Sequence, residues 1–327
     1  LILVTGGAGY IGSHFLKTYL TARPGEKVVV IDDLSVGHKQ ALDFTDDIIF
    51  YQVDVGNKHA VKEILRKHAI QAVIHFAGYC YVNESQILNG KYFHNNVNNG
   101  LTLFSAMQEC GVAAIVFSSS CATYGNPQYV PLDEEHPQNP ASVYGFTKLM
   151  LETALKFNTV DLGWNCVTLR YANAAGADES GAIGESHDPE PHLIPRALKA
   201  ALGQIDFVEI LGDDYDTEDG TCVRDYIHVQ DLARVHLAAL DLAVNKKWSG
   251  AINLGTTRGA SVKEILRLCE EITGRKIPVK VSARRPGDPS VFVSNSKKAE
   301  ALLGWKPEYD LAQTIASAWR WEMNRRY

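Results

Sequence analysis

A tyrosine and a lysine four residues apart, in Tyr144-Gly-Phe-Thr-Lys148, can do chemistry if the segment is helical. Residues i and i+4 share one face of a helix, so the phenol and the ammonium would meet in one site. A phenol of pKa ~10 is a poor base at neutral pH. A cation at about 4 Å, in an effective dielectric of about 20, contributes roughly 4 kcal/mol, or about three pKa units before the cost of desolvation. The pair therefore suits removal of a proton from an alcohol. Tyr-x-x-x-Lys also arises by chance, with the tyrosine packed and the lysine solvated, so the reading depends on its company. That company is Ser118-Ser119-Ser120 upstream and Gly6, Gly9 and Gly12 near the start of the chain. One of the serines suits a hydrogen bond to a reacting hydroxyl, although three serines after a strand could also be a capping loop.

The elements that must position these groups alternate between strand and helix. The apolar run 1–4 leads into Thr5-Gly-Gly-Ala-Gly-Tyr-Ile-Gly12 and then a helical stretch over 13–22. Such glycines permit a tight turn, backbone approach to a pyrophosphate and close helix–strand packing. A strand before and a helix after give the pattern the context it needs. The strand 27–31 ends at Asp32-Asp33, where a carboxylate would bind an adenosine ribose and repel a 2′-phosphate, favouring NAD over NADP. The alternation continues with a strand at 48–53 ending at Asp54-Val55, a plausible adenine contact, and a helix over 58–67 capped by Asn57. A strand over 72–76 ends in Phe76-Ala77-Gly78, a helix covers 92–110, and a strand over 114–118 delivers the serines. The Tyr/Lys helix is expected over 142–157. This pattern predicts an α/β fold, a Rossmann-type doubly wound parallel sheet, with the ligand at the C-terminal edge of its strands.

After Tyr171 the alternation stops, and 174–195 reads as a loop rich in Gly, Asp, Glu and Pro. Helices follow over 196–202, 231–244 and 262–272, the last with Ser261-x-x-Glu264 as a capping box and Gly274 as its stop. Glu185, His187, Glu190 and His192 are metal-ligand types, but no helical or hairpin spacing relates them, so no metal is expected. A chain of 327 residues with a net charge of -6 and no long basic run gives no support to nucleic-acid binding. Its six scattered cysteines, without Cys-x-x-Cys, fit reduced thiols better than disulfides or zinc. No signal-peptide pattern and no bilayer-length apolar run stands out, so a cytoplasmic location and no membrane partner are expected.

These motifs, in this order and spacing, resemble the extended short-chain dehydrogenase/reductase superfamily and, within it, the UDP-glucose (UDP-galactose) 4-epimerases. The likeness rests on Thr5–Gly12, His75-Phe-Ala-Gly78, Asn95-Asn-Val-Asn98, Phe117–Ser120, Tyr144-x-x-x-Lys148, Leu169-Arg-Tyr171, Thr217-Glu-Asp-Gly220, Val223-Arg-Asp-Tyr-Ile-His-Val229 and Arg284-Arg-Pro-Gly-Asp288, which span nearly the whole chain. The resemblance implies reversible NAD-dependent C4 epimerisation of a UDP-sugar through a 4-keto intermediate. Tyr144 would be the base, Lys148 would tune it and bind the nicotinamide ribose, and Ser120 would hold the reacting oxygen. Tyr10, Ile11, Asn95 and Tyr171 would join the residues above around NAD. Arg224 and Arg285 would neutralise the UDP diphosphate, Asn173 would touch phosphate or sugar, and Asp288 the uridine ribose. His192, Leu193 and Leu211 fall where relatives contact the nucleotide, and Phe292 where a side chain limits space for a 2-N-acetyl group.

The same resemblance implies an NAD-binding domain of residues 1–172 plus 223–254 and a nucleotide-sugar domain of 173–222 plus 255–327. It also implies a homodimer formed through the helices 92–110 and 142–158. Four positions depart from what relatives often carry: Ala172 for Phe, Cys80 for Lys, Pro191-His192 for Asn-Asn, and Leu211 for Phe. A 4,6-dehydratase or decarboxylase would share the NAD site, but the run Cys121-Ala-Thr-Tyr124 lacks the carboxylate such enzymes place after the serines. A ketoreductase with exchangeable cofactor, or a different UDP-sugar pair, stays open at this level.

Overall fold

The computed structural model describes residues 1–285 and 287–327; Pro286, inside the Arg284–Asp288 motif, lies outside the described residues. Six strands, β1 (Ile2–Thr5), β2 (Val28–Asp32), β3 (Ile48–Gln52), β4 (Ala72–His75), β5 (Ala114–Ser118) and β6 (Asn165–Arg170), form a sheet with a seventh, Gly250–Asn253. All pairings are parallel, and the order runs β3-β2-β1-β4-β5-β6 and then Gly250–Asn253. The expected doubly wound sheet is therefore present, with its direction reversing between β1 and β4.

Both faces of this sheet are covered, which is why its strands read as unbroken apolar runs. Side chains alternate between two cores. Ile2, Val4, Val28, Val30 and Ile74 pack towards Phe15, Leu16, Leu232 and Val235 of the helices Tyr10–Ala22 and Val229–Asn245. Leu3, Val29, Ile31 and Val73 point the other way, to Ile64, Leu103, Phe104, Leu151 and Leu155. Those residues belong to the helices Lys58–Lys67, Asn99–Glu109 and Val143–Leu162.

Three helices differ from expectation, one of them Leu193–Ala201, which begins inside the stretch 174–195 expected to be loop and ends one residue before the expected 202. The segment 92–110 is not one regular helix, because Phe93–Asn98 widens into a π-type turn before Asn99–Glu109 begins. That turn aims asparagines at the loop after β4: Asn96 accepts from the Tyr79 backbone N–H at 2.8 Å and donates to its carbonyl at 3.0 Å. The Tyr/Lys helix starts where Ser142 caps it, accepting from Gly145 N–H at 3.1 Å, and runs on to Leu162, where Gly163 closes it at φ 69.

A second core forms from the helices Leu193–Ala201, Val262–Thr273 and Leu311–Met323, around Leu198, Ile265, Ile315 and Trp319. Short strands accompany it: Asn173–Ala175 pairs with Tyr226–His228, and Val223–Arg224 pairs with both Ala260–Ser261 and Val291–Phe292. Residues 297–305 return to the large sheet, with Ala299 and Trp305 in its core, so the segment 255–327 contributes to both bodies. Ser261 caps its helix by accepting from Glu264 N–H at 3.0 Å, but the Glu264 side chain turns to Arg258. The reciprocal capping box is instead Asp310 with Gln313. No helix among the described residues is long and apolar enough to cross a membrane.

Candidate active site

One cavity of about 1140 Å³ opens along the C-terminal ends of the strands and runs between the two bodies. A pocket for a single small ligand is typically ~300–1,000 Å³, so this one is larger than most. At its floor, Gly6 takes φ +71, and a Cβ there would lie 2.5 Å from the Ala77 nitrogen. A Cβ on Gly12 would lie 2.2 Å from the Gly6 carbonyl oxygen. Only glycine lets the first turn, the loop after β4 and the helix Tyr10–Ala22 approach this closely. Asp32 ends β2 buried, its carboxylate accepting from Ala8 N–H at 3.0 Å and Leu34 N–H at 2.9 Å. An ionised carboxylate can accept further bonds, so these contacts orient it and leave capacity for ribose hydroxyls. A glycine-lined helix N-terminus beside an oriented carboxylate fits a dinucleotide. Gly9, Tyr10, Ile11, Asp33, Asp54, Val55, Phe76, Gly78 and Asn95 line the same stretch. Tyr10 has a further attachment, since its phenol donates to the Gly176 carbonyl at 2.6 Å and ties the loop to the second body.

Tyr144 and Lys148 lie on one buried face of their helix, opposite Ser118 and Ser120 at the end of β5. Lys148 Nζ donates to the Ser118 carbonyl at 2.8 Å and sits 5.8 Å from the Tyr144 ring centroid. Burial, and not the Lys148 charge, dominates the phenol. Desolvation pushes the Tyr144 phenol well above its ordinary value, opposed by a hydrogen bond from Ser120. Desolvation also lowers the Lys148 ammonium to about 8. The protein alone therefore does not make a phenolate at neutral pH. Tyr171 closes this end, its phenol bonded to the Ser118 hydroxyl.

Behind them is a residue that the reading of the sequence did not single out. Glu152 continues the Tyr144–Lys148 face at one further i+4 step, a spacing that could have revealed it. It accepts from the Ser119 hydroxyl and forms a buried ion pair with Arg170, whose Nη2 lies 2.6 Å from Oε2. Arg170 donates in turn to the Tyr124 phenol at 2.8 Å, which donates to Asn253 at 2.7 Å. The serine loop is thus held by a charged network under it.

Across the cavity, Arg224 Nη2 lies 3.3 Å from Asp288 Oδ1, and Arg285 Nη1 lies 3.9 Å from Asp288 Oδ2. Arg224 Nη2 is buried and makes no hydrogen bond beyond this ion pair, so donor capacity remains at the cavity wall. Asn173 donates to the Asp225 carbonyl at 2.9 Å. Asp225, absent from the expected site residues, is fully buried. Its carboxylate accepts from Thr256 N–H at 2.8 Å and Ser294 N–H at 3.1 Å, joining the segments that carry Asn173, Arg224 and Phe292. Phe292 lines the cavity and packs against Cys121, Tyr124 and Leu132, while Val293 is buried. Leu211, Leu193, His192, Ala172 and Cys80 also line it.

Glu185, His187, Glu190 and His192 converge, contrary to the expectation drawn from their irregular spacing. One ligand atom from each lies within 4.8 Å of all the others. A loop with no periodicity can fold its side chains to one point, and spacing rules written for helices and hairpins do not see it. Burial works to lower the His187 imidazole, but the Glu185 and Glu190 carboxylates, 3.2 and 3.5 Å from Nδ1, outweigh it and raise it to about 10.

Residues 2–255 match the model of the NAD dependent epimerase/dehydratase family. The chain is 46% identical over 321 residues to a UDP-glucose 4-epimerase of Halalkalibacterium halodurans, covering 98% of this chain and 95% of that protein. It superposes with TM-score 0.91 on the crystal structure of UDP-glucose 4-epimerase from Brucella ovis in complex with NAD, at 46% identity and 97% and 96% coverage. The Bifidobacterium longum UDP-glucose 4-epimerase in complex with NAD+ and UDP superposes with TM-score 0.92, at 37% identity and 99% and 98% coverage.

Proposed function

The chain belongs to the NAD-dependent epimerase/dehydratase family, and from that premise we propose that it interconverts UDP-glucose and UDP-galactose at C4. The observation that carries this reading is one cavity with a dinucleotide cradle and Ser120, Tyr144 and Lys148 on one wall, and Arg224, Arg285 and Asp288 on the other. When bound, NAD supplies a hydride acceptor and, oxidised, a positive charge against the buried phenol. Tyr144 takes the proton of the sugar 4-hydroxyl as C4 is oxidised, and returns it when the 4-keto sugar is reduced on its other face. Ser120, whose hydroxyl accepts from Ala122 N–H at 3.1 Å and lines the cavity beside Tyr144, holds the reacting oxygen. Lys148, fixed by the Ser118 carbonyl, orients the cofactor ribose and adds positive charge near the phenol. Arg224 and Arg285 bind the diphosphate, and a guanidinium fork suits that geometry. Asp288, placed between them, keeps both aimed and faces the uridine ribose. His192, Leu193 and Leu211 complete the nucleotide side. Because the hydride returns, no net redox partner is consumed, and a tightly held cofactor suffices.

A dehydratase reading is less well supported. Ser120 is followed by Cys121, Ala122 and Thr123 in a short helical turn that offers no carboxylate for chemistry at C5 or C6. Purified protein should convert UDP-glucose and UDP-galactose into each other without added NAD, as chromatography of the nucleotide sugars would show. Denatured protein should release close to one NAD(H) per chain and little NADP(H). A strict need for added cofactor in every turnover, or release of NADP(H) alone, would overturn the proposal.

We further propose the division of labour expected above, cofactor on the large sheet and nucleotide-sugar on the second body, and a homodimer in the cytoplasm. Phe93, Leu101, Phe146, Met150 and Phe157 are exposed on the two segments expected to pair, and covering them in a four-helix contact would remove that apolar surface from water. A monomer by light scattering at micromolar concentration would count against the dimer. The six free cysteines fit a reducing compartment.

A further inference from the structure

The loop between Gly184 and Leu193 gathers two imidazoles and two carboxylates that the epimerisation chemistry does not use as a set. The contacts are tight. His192 Nδ1 lies 2.7 Å from Glu185 Oε1 and 2.9 Å from Glu190 Oε1. His187 Nδ1 lies 3.2 Å from Glu185 Oε1 and 3.5 Å from Glu190 Oε2. An ion held tetrahedrally by bonds of about 2.0–2.2 Å spaces its ligand atoms roughly 3.3–3.6 Å apart. The four residues each offer a ligand atom within 4.8 Å of the others, so side-chain adjustments of up to about 1 Å bring them to that spacing.

Two of these atoms, His187 Nδ1 and Glu190 Oε2, are buried with no hydrogen-bond partner. Buried polar atoms are nearly always hydrogen-bonded, so a nitrogen and a carboxylate oxygen that sit 3.5 Å apart without a hydrogen bond leave lone pairs for an ion beside them. The side chains of Glu185, Glu190 and His187 are 6%, 4% and 11% exposed. The rings of Tyr10 and Tyr81 stand edge-on to His187, at 6.5 and 5.6 Å. A third carboxyl, Glu322, lies nearby; burial and the charges of Glu185 and Glu190 push it up to about 7, against Arg325 at 3.9 Å and Lys199.

We propose that Glu185, His187, Glu190 and His192 form a binding site for one divalent cation, and that Zn²⁺ is the ion it suits. Two imidazoles and two carboxylates are borderline-to-hard donors, and four protein ligands in tetrahedral reach favour zinc over the octahedral, water-rich sites of magnesium. With four protein ligands the site is closed, so its role is structural and not catalytic. It fastens the loop to the helix Leu193–Ala201, whose N-cap is His192, and sets the loop against Tyr10 beside the glycine turn. The ion engages His192 through Nδ1, which leaves Nε2 of a cavity-lining residue for the nucleotide.

The test titrates Zn²⁺ into chelator-treated holoprotein against a chromophoric zinc chelator, with metal content by mass spectrometry and Tm with and without Zn²⁺. One Zn²⁺ per chain is expected, with a Tm that rises with free Zn²⁺. His187→Gln and Glu190→Gln should each weaken binding at least tenfold and abolish the zinc-dependent rise, whereas exposed His59→Gln should change neither. Because a variant could misfold, Co²⁺ added to the unmodified protein gives an independent reading: a four-coordinate N/O site produces intense visible d–d absorption. Sub-stoichiometric zinc, binding indifferent to both substitutions, or only a weak six-coordinate Co²⁺ spectrum would overturn the proposal and leave a quartet of ion pairs. None of these readouts depends on the epimerase reading.

Discussion

On one wall of the cavity, Ser120, Tyr144 and Lys148 come from the end of a central strand and one face of a long helix. On the other, Asn173, Arg224, Arg285 and Asp288 come from short strands and loops far apart in the chain. In the first case, spacing along a regular element already fixes which side chains meet. In the second, nothing local does, and placement depends on groups such as Asp225, which joins segments around residues 173, 256 and 294 by hydrogen bonds. The regular wall suits the chemistry, where an error of an ångström is costly. The wall built of loops suits recognition of a flexible, charged ligand. Substitutions that separate turnover from binding, and stability from specificity, can break this contrast.

The largest effect belongs to the regular wall. Tyr144→Phe removes the proton carrier while keeping the ring, so kcat should fall by about 10²–10⁴-fold with the Kd for UDP-sugar nearly unchanged. Steady-state kinetics with equilibrium binding checks both halves. Turnover near that of the unmodified protein would end the assignment of Tyr144 as base, and an equal loss in binding would end the separation between the walls.

The network beneath the serines comes next. Glu152 and Arg170 are both 7% exposed and paired at 2.6 Å. Removing one partner leaves a buried charge uncompensated, which typically costs ~3–5 kcal/mol. Glu152→Ala should lower stability by about that amount in urea unfolding, and it should reduce kcat because Ser119 loses its acceptor. A loss below about 1 kcal/mol would show that the rigidity of this wall does not come from the ion pair.

How much of this was legible in the sequence follows the same division. The alternation of apolar runs and helical stretches predicted β1 to β5 to within a residue or so, because each strand is buried on both faces and bounded by turn residues. The Tyr/Lys helix was legible in its start and not in its end, since the stop is set by Gly163 in a left-handed conformation beyond the expected boundary. The wide turn Phe93–Asn98 was not legible, because its π-type geometry serves contacts to the loop after β4. Glu152 was within reach of the i+4 rule. The convergence of Glu185, His187, Glu190 and His192 was not, as it is a tertiary property of a loop. Arg224, Arg285 and Asp288 were singled out by the likeness to a family and not by local pattern, and all three line the cavity.

Smaller is the linkage of Lys148 to pH. Burial lowers its ammonium from 10.5 to about 8 in the protein without cofactor. Between those values the unfolded chain binds the proton and the folded chain does not, so stability rises with pH through this window. Below about 8 both states are protonated and the full cost of burial is felt. The span corresponds to roughly 3 kcal/mol. In cofactor-stripped protein, the stability difference between Lys148→Met and the unmodified chain should shrink by about that amount from pH 8 to 10.5. A constant difference would mean that Lys148 is better solvated than its surroundings suggest.

The smallest effect concerns the wall built of loops. Phe292 occupies a two-residue strand, Val291–Phe292, that pairs with Val223–Arg224 and puts Phe292 in register with Arg224. Its neighbour Val293 is buried, and neither Val291 nor Val293 lines the cavity, so Phe292 is the residue of the three that faces it. A ring backed by Cys121, Tyr124 and Leu132 has little room to retreat. A 2-acetamido group on the sugar would press against it, and overpacking of that kind costs typically ~1–3 kcal/mol, or roughly 5–150-fold. Unmodified protein should therefore favour UDP-glucose over UDP-N-acetylglucosamine by a factor in that range in kcat/KM, and Phe292→Cys should narrow the gap. Ala172, small and on the same cavity, works in the opposite direction by offering space elsewhere. Equal kcat/KM on both sugars in the unmodified protein would show that Ala172 outweighs Phe292. The loop wall would then set specificity through the room it leaves, and not through the ring it presents.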